Sequence, residues 1–178
     1  MIEFNRLRFL IADQNAQMRR IVRTLLYGFG SRDVIEVDNG AAAFEAFVHF
    51  APDIVITDWN MPIIDGLELT QMIRQPEASA NPCVPIIMLS ANSERRHIVA
   101  ARDAGVTEFL VKPMSAKALH DRILSVAAKP RPFVKSKKFF GPDRRRSGRE
   151  TYVGPERRSE DRAEDATPAG GVDKWVAI

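Results

Sequence analysis

The sequence predicts an α/β fold, a doubly wound sandwich built on a five-stranded parallel sheet, followed by a tail without regular structure. Three observations carry this. Within residues 1–128, apolar runs of strand length alternate five times with segments of helical period. Runs such as Ile54-Val55-Ile56 and Ile86-Ile87-Met88-Leu89 are almost wholly apolar, as strands covered by helices on both faces require. After Lys129 the periodicity stops, and Pro130, Pro132, Pro142 and Pro155 appear among accumulating Arg and Lys.

The first unit joins a strand at Leu7–Ala12 to a helix at Met18–Phe29, whose Ile21, Val22, Leu25, Leu26 and Phe29 share one face. Four more units follow: Val34–Val37 with Ala41–Phe50, Ile54–Thr57 with Leu67–Arg74, Ile86–Leu89 with Ile98–Ala104, and Phe109–Val111 with Ala116–Ala127. A chain of 178 residues, 45% hydrophobic and 28% charged, buries one core of ordinary size with length to spare. The expected division is a folded domain at 1–128 and an appendage at 129–178.

Charge is distributed unevenly. Residues 1–128 hold 13 basic and 15 acidic side chains, residues 129–162 hold 12 and 5, and residues 163–178 hold 1 and 3, so the basic excess belongs to the appendage. No apolar stretch approaches the ~20 residues that span a bilayer, and a soluble cytoplasmic protein is expected. Cys83 is the sole cysteine, which excludes an intrachain disulfide and a thiolate metal site within one chain. It is expected to be a free thiol in a loop between Pro82 and Pro85. His49, His97 and His120 are scattered over helical segments and are read as ordinary surface or core histidines.

In a doubly wound sheet, ligands bind beyond the carboxyl ends of the strands. Those ends carry Asp13 and Gln14 after the first strand, Asp58 after the third, Ser90 after the fourth and Lys112 after the fifth. Two carboxylates, an amide, a hydroxyl and an ammonium would converge there. Lys112 precedes Pro113, which constrains the peptide that aims it and makes a cis bond a candidate. Any one of these residues could be a solvated loop residue, but the set on one edge points to chemistry. Carboxylates beside a fixed ammonium suit Mg²⁺ and phosphate oxygens. An aspartate attacking phosphorus needs its own charge and that of the phosphoryl oxygens neutralised, which a cation and Lys112 can supply while Ser90 donates a hydrogen bond.

Several segments together resemble a CheY-type response regulator receiver domain: Phe9-Leu10-Ile11-Ala12-Asp13, Met18-Arg19-Arg20-Ile21-Val22-Arg23, Thr57-Asp58-Trp59-Asn60-Met61-Pro62, Asp65-Gly66-Leu67-Glu68-Leu69 and Val111-Lys112-Pro113. The likeness covers nearly all of residues 7–126, in the family's order and spacing. It implies a flavodoxin-like fold and a role in bacterial two-component or phosphorelay signalling. By the resemblance Asp58 is the phosphoacceptor, with Lys112 and Ser90 as phosphoryl contacts. Mg²⁺ would be held by Asp13, Asp58, the backbone carbonyl of Asn60 and, weakly, Gln14. Ser90 and Phe109 would form the switch, although Phe109 could equally be a core aromatic. The donor would be a sensor histidine kinase or a histidine phosphotransferase, and phosphorylation would be self-catalysed rather than enzymatic turnover.

One residue departs from the family pattern. Where the family usually carries a second acid after the first strand, this chain has Gln14, which removes a formal charge from the expected cation site at a cost on the order of a few kcal/mol. Three consequences are open: weaker but working Mg²⁺-dependent phosphorylation, a receiver biased toward one state, and a receiver kept for docking alone.

The appendage contains a short repeat, Phe140-Gly141-Pro142-Asp143-Arg144-Arg145 against Val153-Gly154-Pro155-Glu156-Arg157-Arg158. It is read either as a pair of basic docking motifs, with Phe139, Phe140 and Tyr152 as anchors, or as a solvated flexible tail. Interspersed acids argue against nucleic acid as its partner and weigh against a membrane surface. Thr167–Gly171 reads as a small-residue spacer, and the terminal Val172–Ile178 as apolar enough to dock. About 50 residues hold neither a helix-turn-helix nor a catalytic output domain. The leading expectation is a stand-alone receiver acting on an output protein through protein contacts; the alternative is a phosphorylation-independent adaptor that binds through its tail.

Overall fold

The computed structural model describes residues 3–77, 79–136 and 139–143. Five parallel strands, β1 (Arg8–Ala12), β2 (Asp33–Val37), β3 (Ile54–Asp58), β4 (Ile86–Ser90) and β5 (Glu108–Val111), lie in the order β2-β1-β3-β4-β5. Helices α1 (Ala16–Gly28), α2 (Gly40–Phe50), α3 (Gly66–Ile73), α4 (Arg95–Ala104) and α5 (Ala116–Ala128) follow the strands in turn. The predicted doubly wound sandwich is what the chain forms. A short 3₁₀ turn at Phe4–Arg6 precedes β1, and Phe4 packs its ring on His120 of α5 at 5.3 Å.

Alternation along each strand sorts the core into two layers. Phe9 and Ile11, Ile54 and Ile56, and Ile87 and Leu89 point to one face, where Val22 and Leu26 of α1 and Leu119, Ile123 and Val126 of α5 cover them. Their neighbours Leu10, Ala12, Val55 and Ile86 point to the other face, against Ala43 and Phe47 of α2 and Leu69 and Ile73 of α3. Met88 meets Ala101 of α4 and Val106. Burying a side chain such as Leu10 on either layer contributes roughly 2 kcal/mol, so the continuous apolar strands hold the sheet between its helices.

The starts of α1, α2, α3 and α5 are fixed by side-chain caps, and these starts border the carboxyl ends of the strands. The Asn15 side chain accepts from the amides of Gln17 and Met18, Asn39 caps α2 through Ala42, and Ser115 caps α5 through Ala118. Asp65 and Glu68 form a reciprocal capping box on α3. Helix α4 lacks a side-chain cap and ends at Gly105, whose φ of 99° is a left-handed conformation suited to glycine.

The predicted flexible segment requires correction at its beginning. Residues Phe133–Ser136 (β6) and Phe139–Pro142 (β7) pair as an antiparallel hairpin that packs against the core. The Phe133 ring lies 5.1 Å from the Arg74 guanidinium and 5.6 Å from the Phe140 ring, and Arg131 forms an ion pair with buried Glu108 at 2.7 Å. Gly141 sits close against Gly105, where a Cβ would come within 3.1 Å of the Gly105 Cα. Prolines break regular structure in a chain's interior, yet Pro132 and Pro142 are compatible with hairpin edges. Beneath the hairpin the Arg74 guanidinium is bound by the carbonyls of Gly105 and Pro82, and burial lowers its pKa to about 9, which still leaves it charged at neutral pH. The second repeat copy, Tyr152, the Thr167–Gly171 spacer, the terminal Val172–Ile178 and Arg144 and Arg145 of the first copy lie outside the described residues.

Candidate functional site

Strands β1 and β3 are neighbours, but their chains depart to opposite sides of the sheet, so their carboxyl ends form the switch point where a doubly wound fold opens a crevice. Ala12 pairs with Thr57 in the ladder, which brings Asp13 and Asp58 side by side at that opening. Both are buried, at 1% and 8% exposure. Lys112 arrives from the end of β5 across a cis peptide to Pro113. Its ammonium donates to Asp13 Oδ2 at 2.7 Å and to Asp58 Oδ1 at 2.9 Å, joining residues 99 and 54 positions away in sequence.

The remaining polar contacts fix these groups. The Asn15 amide donates to Asp13 Oδ1 at 2.8 Å, so the residue that caps α1 also holds the first acid. The Trp59 amide donates to Asp58 Oδ1 at 2.9 Å. Asp58 Oδ2 receives no hydrogen bond among the described residues and is the oxygen left available. Ser90 closes β4, buried, with its hydroxyl accepting from the Asn92 amide at 3.0 Å. Gln14 is exposed and its Nε2 donates to the Asn60 carbonyl at 3.0 Å. The sequence-derived set of Asp13, Gln14, Asp58, Asn60, Ser90 and Lys112 thus meets at one edge of the sheet. Phe109 stands apart, half-buried on β5 against the cluster of Met88, Ala101 and Val106.

Burial raises the Asp58 carboxyl above its ordinary 3.8, and the charge of Asp13 adds to this, while the Lys112 hydrogen bond and charge and the Trp59 amide oppose it. An acid that holds its proton more tightly in the folded state contributes stability fully below the unfolded value, and that contribution is lost as pH rises through the folded value. At neutral pH the ionised Asp58 therefore works against folding. Asp58→Asn keeps an acceptor for Lys112 and Trp59, and is expected to raise the thermal midpoint at neutral pH by roughly 2–5 °C. The gain should vanish as pH falls below 3.8. Thermal scans across that range check it; a gain that persists in acid would trace the effect to packing.

Two neighbours escaped the sequence reading. His97, which the sequence marks only as a helical histidine, meets Trp59 edge-on at 4.9 Å and lies 3.4 Å from the Asn92 side chain. It therefore connects the loop after β4 with the loop after β3. Its position one turn before buried Ala101 on α4 was a usable signal. Asn92, two residues beyond Ser90, accepts from the Glu94 amide at 2.9 Å in an Asx turn, a pattern readable from spacing alone. Cys83 is a free, half-buried thiol, as expected, and burial pushes its pKa up, away from reactivity.

The Asp58 Oδ2 and Asn60 carbonyl oxygens are hard donors of the kind a divalent cation takes. Gln14 complicates the fit, because it presents an N–H rather than an oxygen to that carbonyl.

The chain is similar to known proteins. The family described as "Response regulator receiver domain" matches residues 9–124. Chemotaxis protein CheY-3 of Vibrio cholerae is 36% identical over 117 residues, which are 66% of this chain and 88% of the relative. Chemotaxis protein CheY of Pseudomonas aeruginosa is 34% identical over 117 residues, 66% of this chain and 93% of the relative. Among solved structures, Vibrio cholerae CheY4 superimposes with a TM-score of 0.62 at 25% identity, covering 67% of this chain and 98% of that one. The receiver domain of the Francisella response regulator 1452 gives 0.60 at 25% identity, covering 66% and 93%. With residues 9–124 matched by that family, the chain belongs to the response regulator receiver domain family and is a response regulator of two-component signalling.

Proposed function

We propose that Asp58 accepts a phosphoryl group from a histidine kinase or histidine phosphotransferase, and that the phosphorylated chain signals by contact with an output protein. The observation that carries this is the Lys112 ammonium held between Asp13 and Asp58 at 2.7 and 2.9 Å, beside an Asp58 Oδ2 free to react. In the transfer, Asp58 Oδ2 forms a bond to phosphorus as the bond from phosphorus to the donor imidazole nitrogen breaks. The leaving nitrogen keeps the electron pair and takes up a proton. Charge on the phosphoryl oxygens is met by Lys112, whose electrostatic help to such a step is worth roughly 10²–10³ in rate.

Mg²⁺, bound through Asp58, the Asn60 carbonyl and Asp13, would neutralise further charge on the transferring group. Ser90 would release the Asn92 amide and turn its hydroxyl toward a phosphoryl oxygen. That movement would draw the loop before α4 inward and let Phe109 follow, changing the face formed by α4, β5 and α5. Protein contacts through this face are the output.

The test is intact mass after incubation with acetyl phosphate and Mg²⁺. Wild type should gain one phosphoryl group and Asp58→Ala none. No gain on wild type, or a gain that survives Asp58→Ala, would sink the proposal.

A further inference from the structure

The Gln14 side chain sits outside the trio of Asp13, Asp58 and Lys112, yet it makes a contact that links two loops. Its Nε2–H donates to the Asn60 carbonyl at 3.0 Å, tying the turn between β1 and α1 to the turn between β3 and α3. That carbonyl is one of the oxygens assigned above to a cation. An amide N–H and a divalent cation both present positive charge to it, so each weakens the other's hold. We propose that Gln14 is an internal tether that takes the place of the cation at the Asn60 carbonyl, so that Mg²⁺ binds in competition with the Gln14–Asn60 hydrogen bond.

The chemistry of the amide explains why this position is bistable. A half-turn about the last side-chain bond exchanges Nε2 for Oε1 without moving the stem. Without a cation, the exchanged state sets two acceptors against each other, so the N–H faces the carbonyl. The acids beside it are already engaged: Asp13 accepts from Asn15 and Lys112, and Asp58 Oδ1 accepts from Lys112 and Trp59. A carboxylate at position 14 could not donate, and would add a third negative charge to this edge. The glutamine thus lets the two loops stay joined in a metal-free protein, at the expense of cation affinity.

The inference rests on the reading of the Asp58 pocket as the cation and phosphoryl site, and a cation titration separates the two. Trp59 lies beside Asp58, and Trp175 is the other tryptophan of the chain. In a Trp175→Phe background, Trp59 fluorescence or calorimetry reads Mg²⁺ added as its chloride, in the full chain and without any phosphodonor. Gln14→Ala removes the tether and adds no charge, and is expected to bind Mg²⁺ about fivefold more tightly than the parent. Gln14→Asp should bind roughly tenfold more tightly or better. The metal-free thermal midpoint of Gln14→Ala should fall, and the difference from the parent should shrink at saturating Mg²⁺. An unchanged or weaker affinity in Gln14→Ala overturns the tether, the weaker value showing that the Gln14 oxygen is a working ligand. If Asp58 takes no phosphoryl group while the Gln14→Ala shift is seen, the phosphoacceptor reading fails and the tether stands.

Discussion

Replacing Lys112 by Met is expected to cost about 3 kcal/mol of folding stability at neutral pH and to slow phosphoryl uptake by Asp58 roughly 10²-fold. Met keeps most of the stem volume and removes the ammonium. What remains is two carboxylates, at 1% and 8% exposure, facing each other without the cation that bridges them at 2.7 and 2.9 Å. Removing one partner of a buried ionic cluster is costly because the other charges stay behind unpaired. The pH dependence identifies the cause. The Lys112 hydrogen bond and charge both act to lower the Asp58 pKa, so without them the carboxyl rises further above 3.8. Protonation relieves the repulsion, and the stability deficit should shrink as pH falls through that raised value. Denaturant titrations at neutral and mildly acidic pH measure this; a deficit of constant size would place the loss in packing instead.

Gly66→Ala is expected to be nearly as damaging without touching a charge. Gly66 opens α3, and its amide donates to the Trp59 carbonyl at 2.9 Å. A Cβ there would lie 2.2 Å from the backbone carbonyl oxygen of Asp58 and 3.2 Å from Met88 Cε. The nearest obstacle is main chain at the end of a buried strand, so relief requires α3 or Asp58 itself to move. A loss of about 3 kcal/mol is expected, at the upper end for an added methyl in a packed core. Because Asp58 is displaced, phosphoryl uptake should fall as well. Gly28→Ala is the control, since a Cβ at Gly28 meets nothing within 4 Å; there the change should be neutral or stabilising by roughly 0.5–1 kcal/mol. Equal effects at the two positions would remove the steric argument.

The layers of the fold were legible because they depend on local signals that agree. Continuous apolar runs set the strands and helical period set the helices; the caps Asn15, Asn39, Asp65 and Ser115, which fix the helix starts, are seen only in the structure. The convergence of Asp13, Asp58, Ser90 and Lys112 was legible for a related reason: once the sheet is parallel, every strand end arrives at one edge. Less of the hairpin could be read. Phe133 and Phe140 lie in a segment too short and too rich in proline to look like structure, and their burial depends on Arg74 and Gly105, distant in sequence. Nor does sequence say which end of an amide faces a carbonyl, so from sequence Gln14 is a weakened ligand and in the structure it is a donor.

The most direct test of the central claim is to locate the phosphoryl group. Borohydride reduces an acyl phosphate of aspartate to homoserine, and peptide mass spectrometry then names the residue. After phosphorylation by acetyl phosphate with Mg²⁺, the account predicts homoserine at position 58 and nowhere else. Homoserine at Asp13 or another acid, or none in a sample that has gained a phosphoryl mass, would contradict it.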